Sequence, residues 1–378
     1  MKKILIFSYS LAQTTETALR ETCSRLPDFD FYLITDRFDK NSPKQGKLGP
    51  INVYFVGNGS RIDKYMFTWR AIAMAANLHK AIKFDFAWCL DTLSSGLATL
   101  LFRNRSKVPY LLTEQSTATS EELKKKIQLW GFYFKRIYRK AKCIQVVNKF
   151  LGQRCRKFGA KAEIFLIPSG MDQSIFQPRL TTEEKINFRR ELGIEPDDLV
   201  LISCGDLNQT NGQADLIKAL NFIIYKSGLP AVLILVGDGA GAMKLSQLAA
   251  DFSVGDYVLL AGQQEPGEVA RYLEIADIFI KPTTIPTLGR SFLESMAMGV
   301  PTIGPSIGSL SDFIIEGETG LFCQLKHPAS IALAVEKYVH DHELYRKVKE
   351  QAQRLVREKY NCDVIARKIG LIFQEKMI

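Results

Sequence analysis

The sequence has few of the residues that build disulfide frameworks or metal sites. Its seven cysteines are an odd number, and none forms a Cys-x-x-Cys pair. This predicts reduced thiols, as in a cytoplasmic protein. Of the four histidines, His340 and His342 form one His-x-His with no third histidine or cysteine nearby. We therefore expect no metal site.

Long apolar runs are also lacking. The run AVLILVG at 231–237 is far shorter than the ~18 residues that a membrane span needs. The opening MKKILIFSYSLA has too short an apolar stretch for a signal peptide, and no small-residue cleavage site follows it. We expect a first β-strand there, and a protein that neither spans a membrane nor leaves the cytoplasm.

Size and composition indicate a soluble globular protein of more than one domain. The chain has 378 residues, of which 46% are hydrophobic and 24% are charged. Domains usually hold about 100–200 residues, so two domains are expected.

The positive charge is concentrated in the first part of the chain. Residues 1–150 hold 25 Lys and Arg against 12 Asp and Glu, which leaves 25 against 28 for the remainder. The densest part is 121–143, where eight basic residues are interleaved with Trp130 and four further aromatics, Phe132, Tyr133, Phe134 and Tyr138.

Two interpretations of residues 121–143 remain open. A basic helix with interleaved aromatics can lie on an anionic membrane surface. The same pattern also fits a solvated helix that packs its aromatics inward. No nucleic-acid-binding signature accompanies the segment, so nucleic acid is not an expected partner.

Strand-like and helix-like stretches alternate along both halves of the sequence. The alternation predicts an α/β protein with two doubly wound, mostly parallel sheets in series. A Pro, Ser, Gly and Asp cluster at 163–178 indicates a linker. We predict an N-terminal domain over 1–172, a C-terminal domain over 173–358, and a last helix over 359–378 that returns to the first domain.

The glycines of VGDGAGAMKL at 236–245 follow a strand with the spacing G-x-G-x-G. This spacing is weakly typical of a dinucleotide site. Such a site needs an acid at the end of the next strand, whereas that strand ends in Gly262, Gln263 and Gln264. A tight strand-to-helix turn beside a crevice is the better interpretation, with Gly237 at its start.

The stretch KPTTIPTLGRSFLESMAMGVP at 281–301 combines a loop and a helix start with one carboxylate, Glu294. Free N–H groups and the positive dipole end at a helix start favour phosphate oxygens. Gly289 would let the backbone approach a ligand. Glu294 lies one turn further in, where its oxygens could bind the hydroxyls of a ribose.

Several motifs together resemble one enzyme family, the retaining glycosyltransferases of family 4, which have the GT-B fold. The motifs are IPSGMDQSIFQP, GDLNQTNGQADLIKAL, LVGDG, VLLAGQQ and KPTTIPTLGRSFLESMAMGVPTIG. The resemblance is strong over 163–322 and looser in the first half, where PYLLTEQST and FDFAWCLDTLSSGL also fit.

The resemblance implies transfer of a sugar from a nucleotide-diphosphate donor, UDP- or GDP-linked, across a cleft between two Rossmann-like domains. Configuration is retained, and no metal or other cofactor takes part. Glu294 would hold the ribose, backbone around Gln263 the base, and the turn at Leu288 and Gly289 the diphosphate. The positions expected to face the donor are Gly205, Asp206, Asn211, Gly237, Gln263, Leu288, Gly289, Arg290 and Glu294.

Several polar positions depart from the family pattern. Asp206 and Asn211 stand where the family usually has Arg and Lys, and Pro286 stands where it has an acid. Gln115 replaces a histidine, and the stretch that contains Ser8, Tyr9 and Ser10 replaces a glycine pair. Two residues offer compensation: Arg290 could neutralise the diphosphate, and Glu114 could approach the sugar or cap a strand end.

Two function hypotheses follow. The first is an active retaining glycosyltransferase that uses a glycan or lipid-linked acceptor, cytoplasmic or peripheral on the inner membrane face. The second is a GT-B protein that has lost transfer activity and serves as a binding or scaffold subunit of an active partner.

Overall fold

The structure is a computed structural model and describes residues 1–10, 13–37, 43–60, 62–115, 131–168, 170–285 and 289–376. The chain divides into two compact units. Unit 1 comprises Met1–Gly170 and Cys362–Ile378, and unit 2 comprises Met171–Asn361.

In its described part, unit 1 contains an eight-stranded sheet. The strands are β1 (Lys2–Phe7), β2 (Phe29–Asp36), β3 (Gln45–Leu48), β4 (Ile51–Val56), β5 (Phe86–Cys89), β6 (Tyr110–Glu114), β7 (Cys143–Val146) and β8 (Glu163–Leu166). Their order is β3-β4-β2-β1-β5-β6-β7-β8. Neighbours are parallel except β3, which pairs antiparallel with β4.

Unit 2 contains a six-stranded, fully parallel sheet within its described residues. The strands are β9 (Leu199–Cys204), β10 (Ala231–Val236), β11 (Val258–Gly262), β12 (Ile278–Ile280), β13 (Thr302–Pro305) and β14 (Leu321–Cys323). Their order is β11-β10-β9-β12-β13-β14. This topology confirms the predicted fold class.

Helices connect the strands. They are α1 (Gln13–Ser24), α2 (Asp63–Ile82), α3 (Ser94–Ser106), α4 (131–140), α5 (Lys149–Lys157), α6 (Thr182–Glu191), α7 (Gln213–Tyr225), α8 (Ala242–Asp251), α9 (Pro266–Glu274), α10 (Arg290–Met298), α11 (Pro328–His340), α12 (His342–Leu355) and α13 (Cys362–Lys376). Gly255–Tyr257 and Leu310–Asp312 form 3₁₀ turns, and Val356–Tyr360 forms a π turn.

Strand burial explains why the sheets are parallel. In β1, Ile4, Leu5, Ile6 and Phe7 are all fully buried, although successive side chains point to opposite faces. A strand buried on both faces needs helices on both sides of its sheet, which right-handed β-α-β connections supply. The seven cysteines are all buried in these cores.

The strand order reverses once in each sheet. In unit 1, β2 and β4 lie on one side of β1, and the later strands β5 to β8 lie on its other side. In unit 2, β10 and β11 lie on one side of β9, and the later strands β12 to β14 lie on its other side. Ligands of such sheets bind beyond the carboxyl ends of the strands at this reversal. A ligand site is therefore expected at the carboxyl ends of β9 and β12 in unit 2, and at those of β1 and β5 in unit 1.

The helix α13 completes the core of unit 1. Its Phe373 is fully buried, and its ring lies 5.5 Å from that of Phe29, 6.0 Å from that of Phe86 and 5.4 Å from that of Trp88. The last described helix of the chain thus packs against strands from its beginning.

We predict that Phe373→Ala lowers the free energy of unfolding of unit 1 by about 3–5 kcal/mol, because it leaves a cavity among aromatic rings. Urea unfolding followed by circular dichroism measures the change. Leu371→Ala on the same helix, where the side chain is 49% exposed, is the matched control and should change little. Equal losses in the two variants would contradict this account of the core.

Candidate active site

Three strand-end loops of unit 2 meet through backbone contacts. Gly205 N donates to Val236 O (2.9 Å), and Gly237 N donates to Gly262 O (2.8 Å). A Cβ added to Gly237, whose φ is +144°, would lie 2.2 Å from Gly205 O. A side chain cannot be accommodated there, so the loops after β9, β10 and β11 depend on this glycine for their close approach.

The loop after β12 joins the same group. Thr284 N donates to Thr210 O (2.8 Å), and Thr283 Oγ1 donates to the same carbonyl (3.1 Å). A Cβ on Gly212, just before α7, would lie 2.1 Å from Pro282 O. The loops after β9 and β12 are therefore held together where the strand order reverses, as the strand-end argument predicts.

The start of α10 follows this loop. Gly289 has φ +72°, and an added Cβ would meet the Phe313 ring at 2.3 Å, so the helix entry requires glycine. The predicted residues Pro286 and Leu288 lie outside the described residues. The N–H groups of the first turn of α10 remain an expected phosphate site.

Glu294 and Arg290 form an ion pair along α10. Arg290 Nε donates to Glu294 Oε1 at 2.9 Å, with side-chain exposures of 34% and 13%. The two residues are four apart, which places them on one helix face as predicted. Glu294 Oε2 accepts no hydrogen bond from the described residues.

The electrostatics of Glu294 set it apart from a surface glutamate. Burial raises the pKa of its carboxyl, while Arg290 and then Lys281 act in the opposite direction. A buried carboxylate with one oxygen uncommitted can accept hydrogen bonds from a ligand hydroxyl pair.

Lys281 is a charged residue at this site that sequence reasoning missed. It follows β12 directly and is 9% exposed. Its Nζ donates to Cys204 O at 2.9 Å and to Ser291 Oγ at 3.4 Å. It thereby links the end of β9 to the start of α10. A lysine after an apolar strand is the only signal in the sequence, and it does not reveal this contact.

Asp206 and Asn211 belong to the loop after β9. Asn211 Nδ2 donates to Asp206 O at 2.8 Å, and Gln213 Nε2 donates to the same carbonyl at 2.9 Å. Asn211 therefore braces the loop, while the Asp206 side chain is exposed. Gln263, after β11, is also exposed.

In unit 1 the predicted loop follows β1 at the reversal of strand order. Ser8 is buried, and its Oγ donates to Ser10 O at 3.1 Å. Tyr9 N donates to Asp91 Oδ2 at 3.2 Å, which joins the ends of β1 and β5. Asp91 was not among the predicted residues.

Glu114 is buried in a network of its own. It is 1% exposed, and Arg154 Nη2 donates to its Oε1 at 2.9 Å while the Tyr138 hydroxyl donates to its Oε2. Both oxygens are thus engaged. Burial raises the pKa of Tyr138, and Glu114 raises it further, so the phenol stays protonated and acts as donor.

Gln115 lines a small cavity of about 50 Å³ in unit 1. Its Nε2 donates to Leu90 O at 3.2 Å. Beside it, Trp88 Nε1 donates to Thr113 Oγ1 (2.8 Å), and Thr113 Oγ1 donates to Gln145 Oε1 (2.8 Å). Gln115 therefore adjoins a polar chain of uncharged groups.

Residues 131–143 are the described part of the basic segment. On α4, Phe134 and Tyr138 are buried, whereas Phe132 is 70% exposed and Tyr133 is 43% exposed. Four basic residues of α4 are also exposed: Lys135, Arg136, Arg139 and Lys140. The burial of Phe134 and Tyr138 agrees with a helix that packs aromatics inward, and contact with a membrane stays a prediction. Within the described chain, no helix has the length and apolar character needed to cross a bilayer.

A larger pocket of about 700 Å³ lies at the opposite end of β12. Its lining includes Arg189 and Asp277, which pair at 3.0 Å. It is remote from Lys281 along the strand and contains none of the predicted site residues.

A solved structure identifies the fold. The chain resembles Anabaena HepE in complex with UDP and glucose, with a TM-score of 0.78 and 15% identity over 99% of this chain and 100% of that one. This likeness and the two parallel-sheet units show a GT-B fold, as the family resemblance predicted.

The family comparison concerns unit 2. Residues 184–355 match the model of the family glycosyl transferases group 1. The chain is 26% identical over 349 residues to an uncharacterized glycosyltransferase of Methanocaldococcus jannaschii, covering 89% of this chain and 87% of that protein. It is 27% identical over 220 residues to a GDP-mannose-dependent alpha-(1-6)-phosphatidylinositol monomannoside mannosyltransferase of Mycobacterium tuberculosis, covering 56% of each. The match to the group 1 family therefore lies within unit 2.

We predict that Glu294→Gln increases the stability of unit 2 at pH 7. A carboxyl whose pKa is raised on folding stabilises the protein below its ordinary pKa of 4.5, and this contribution is lost as pH rises through the folded value. Each unit of the rise corresponds to about 1.4 kcal/mol.

Urea unfolding between pH 4.5 and pH 8 tests this prediction. The stability advantage of the Gln variant should grow with pH. Glu268→Gln removes a half-exposed carboxylate from a surface pair with Arg271 and is the matched control. An advantage of Glu294→Gln that stays constant with pH would contradict the prediction.

Proposed function

We propose that the chain is a retaining glycosyltransferase that moves a sugar from a UDP- or GDP-linked donor to a glycan or lipid-linked acceptor. The observation that carries this proposal is the buried Glu294, held by Arg290 beside the start of α10, where the strand order of unit 2 reverses. This point lies within the residues that match the group 1 family.

Donor binding would use two parts of α10, which are the N–H groups at its start and the Glu294 side chain one turn further along. Glu294 Oε2 would accept hydrogen bonds from the ribose hydroxyls, and the N–H groups at the helix start would bind diphosphate oxygens. Arg290 would add positive charge on the same helix face. The exposed Gln263 lies at the end of β11, where the base would be bound by backbone groups.

The transfer step needs no cofactor or metal. The bond between the anomeric carbon and the diphosphate oxygen breaks, and a bond from the acceptor oxygen to the same carbon forms on the same face. The departing phosphate oxygen takes the acceptor proton. Positive charge near the diphosphate lowers the barrier because it stabilises the negative charge that develops there.

Names of similar proteins support the donor and acceptor classes. HepE was solved with UDP, and the mycobacterial relative is named for GDP-mannose and a phosphatidylinositol mannoside. For this chain both nucleotides are candidates, and a lipid-linked acceptor accords with the exposed aromatic and basic face of α4.

We further propose that α4 contacts anionic membrane lipid, peripherally and from the cytoplasm. Phe132 and Tyr133 can enter the interfacial region, and each nearby cation adds about 1 kcal/mol at an anionic surface. Arg136 lies over the Phe132 ring at 5.8 Å, so one contact surface presents both properties.

For the donor site, we predict that UDP- or GDP-sugars raise the melting temperature of the protein and are slowly hydrolysed. Glu294→Gln should weaken donor binding about 10- to 100-fold, because a charge-assisted hydrogen bond contributes about 1.5–3 kcal/mol. Calorimetric titration measures the affinity, and NMR of the transferred sugar reports whether configuration is retained.

Glu343→Gln, which removes an exposed carboxylate in the first turn of α12 of the same unit, should bind donor like the wild type. If no UDP- or GDP-sugar stabilises the wild-type protein, the enzyme proposal fails and the scaffold hypothesis is supported instead.

For the membrane face, we predict that the protein floats with vesicles containing phosphatidylglycerol and does not float with vesicles of phosphatidylcholine alone. Phe132→Ser combined with Tyr133→Ser should reduce the bound fraction at least several-fold. Leu333→Ser, which removes a 63% exposed side chain in unit 2, is the control. Binding that both variants leave unchanged would exclude α4 as the contact.

A further inference from the structure

A buried ammonium lies at the reversal of strand order in unit 2. Lys281 is anchored by its backbone N, which donates to Ile303 O of the neighbouring strand at 3.1 Å. Its side chain extends the other way, to the end of β9, where Nζ meets Cys204 O at 2.9 Å. The charge is therefore fixed between the two strand ends that flank the expected ligand crevice.

The described residues supply hydrogen-bond acceptors for only some of the N–H donors of this ammonium. An ammonium has three N–H donors. Cys204 O is one acceptor at good distance, and Ser291 Oγ at 3.4 Å is a long second one. Burying a charge with so few partners is unfavourable unless another anionic or polar group completes its shell.

The loop after β9 is shaped around this charge. Gly205 has φ +137°, and a Cβ there would lie 2.5 Å from Lys281 Nζ and 3.9 Å from Asn211 Nδ2. A side chain at position 205 would displace the ammonium from its present position. The glycine therefore keeps one side of the charge uncovered by the loop's own side chains.

We propose that Lys281 Nζ binds the diphosphate of the nucleotide donor and supplies the positive charge that Asp206 and Asn211 do not. The inference rests on the proposed function and adds to it a diphosphate-binding residue that follows a different strand. Lys281 directly follows β12, whereas positions 206 and 211 lie in the loop after β9.

The local charges agree with this role. Burial lowers the pKa of Lys281, and Cys204, Glu294 and Asp206 act in the opposite direction. Asp206 is exposed, so water screens its charge, and the less exposed groups Lys281, Arg290 and Glu294 sum to one positive charge, which favours an added anion. A purely structural Lys281 would instead serve to connect β9 with β12 and α10.

Comparing a nucleoside diphosphate with its nucleoside separates these two roles. We expect Lys281→Met to weaken UDP or GDP binding at least tenfold, and to leave uridine or guanosine binding unchanged. Calorimetry measures the diphosphates, and saturation-transfer NMR measures the nucleosides. Lys226→Met, which removes a lysine lying over Phe222 in the same unit, should leave both unchanged.

A rescue variant tests the position of the charge. Asn211 Nδ2 and Lys281 Nζ lie around the same point at Gly205, so Lys281→Met combined with Asn211→Lys should recover diphosphate binding at least in part. Lys281→Gln keeps a hydrogen-bond donor without the charge and replaces the Met variant if that one does not fold.

The outcomes distinguish this inference from the proposed function. Wild-type protein that binds neither UDP nor GDP overturns both. Wild-type binding that Lys281→Met or Lys281→Gln leaves intact overturns the role of Lys281 alone. Equal loss of diphosphate and nucleoside binding shows a structural lysine and also overturns it, whereas selective loss with rescue supports it.

Discussion

Charge buried at the ends of β9 and β12 is the constraint on which the site of unit 2 depends. Lys281 is buried and Glu294 is 13% exposed, so the charge of each is unfavourable without a partner, while Arg290 is one-third exposed. The hydrogen bonds of Lys281 to Cys204 O and Ser291 Oγ link the start of α10 to the end of β9. A dianionic ligand would complete this group of charges. The glycine contacts between the strand-end loops fix the positions around them.

The sequence predicted the fold class because both sheets are buried on two faces. Such strands appear as apolar runs separated by helical stretches, and this alternation is hard to misread. The short strand β3 escaped prediction. Its sequence QGKL is polar and lies at the sheet edge, where pairing with β4 rather than burial defines it.

Contacts in the candidate site could be predicted only between residues that are close in sequence. Arg290 and Glu294 are four apart on one helix, so their shared face follows from helix geometry. The contact of Lys281 with Cys204 spans 77 residues, and that of Arg154 with Glu114 spans 40. Neither pairing has a local pattern, because each depends on which strands become neighbours in the sheet.

The return of α13 to unit 1 has a consequence for biosynthesis. On the ribosome, residues 1–170 emerge before unit 2, and their aromatic core lacks Phe373 until unit 2 has been made. Unit 2 is contiguous and can complete its sheet earlier. Residues 1–170 therefore keep the apolar surface that Phe373 covers exposed until unit 2 has been synthesised, and exposed apolar surface of this kind favours aggregation during folding.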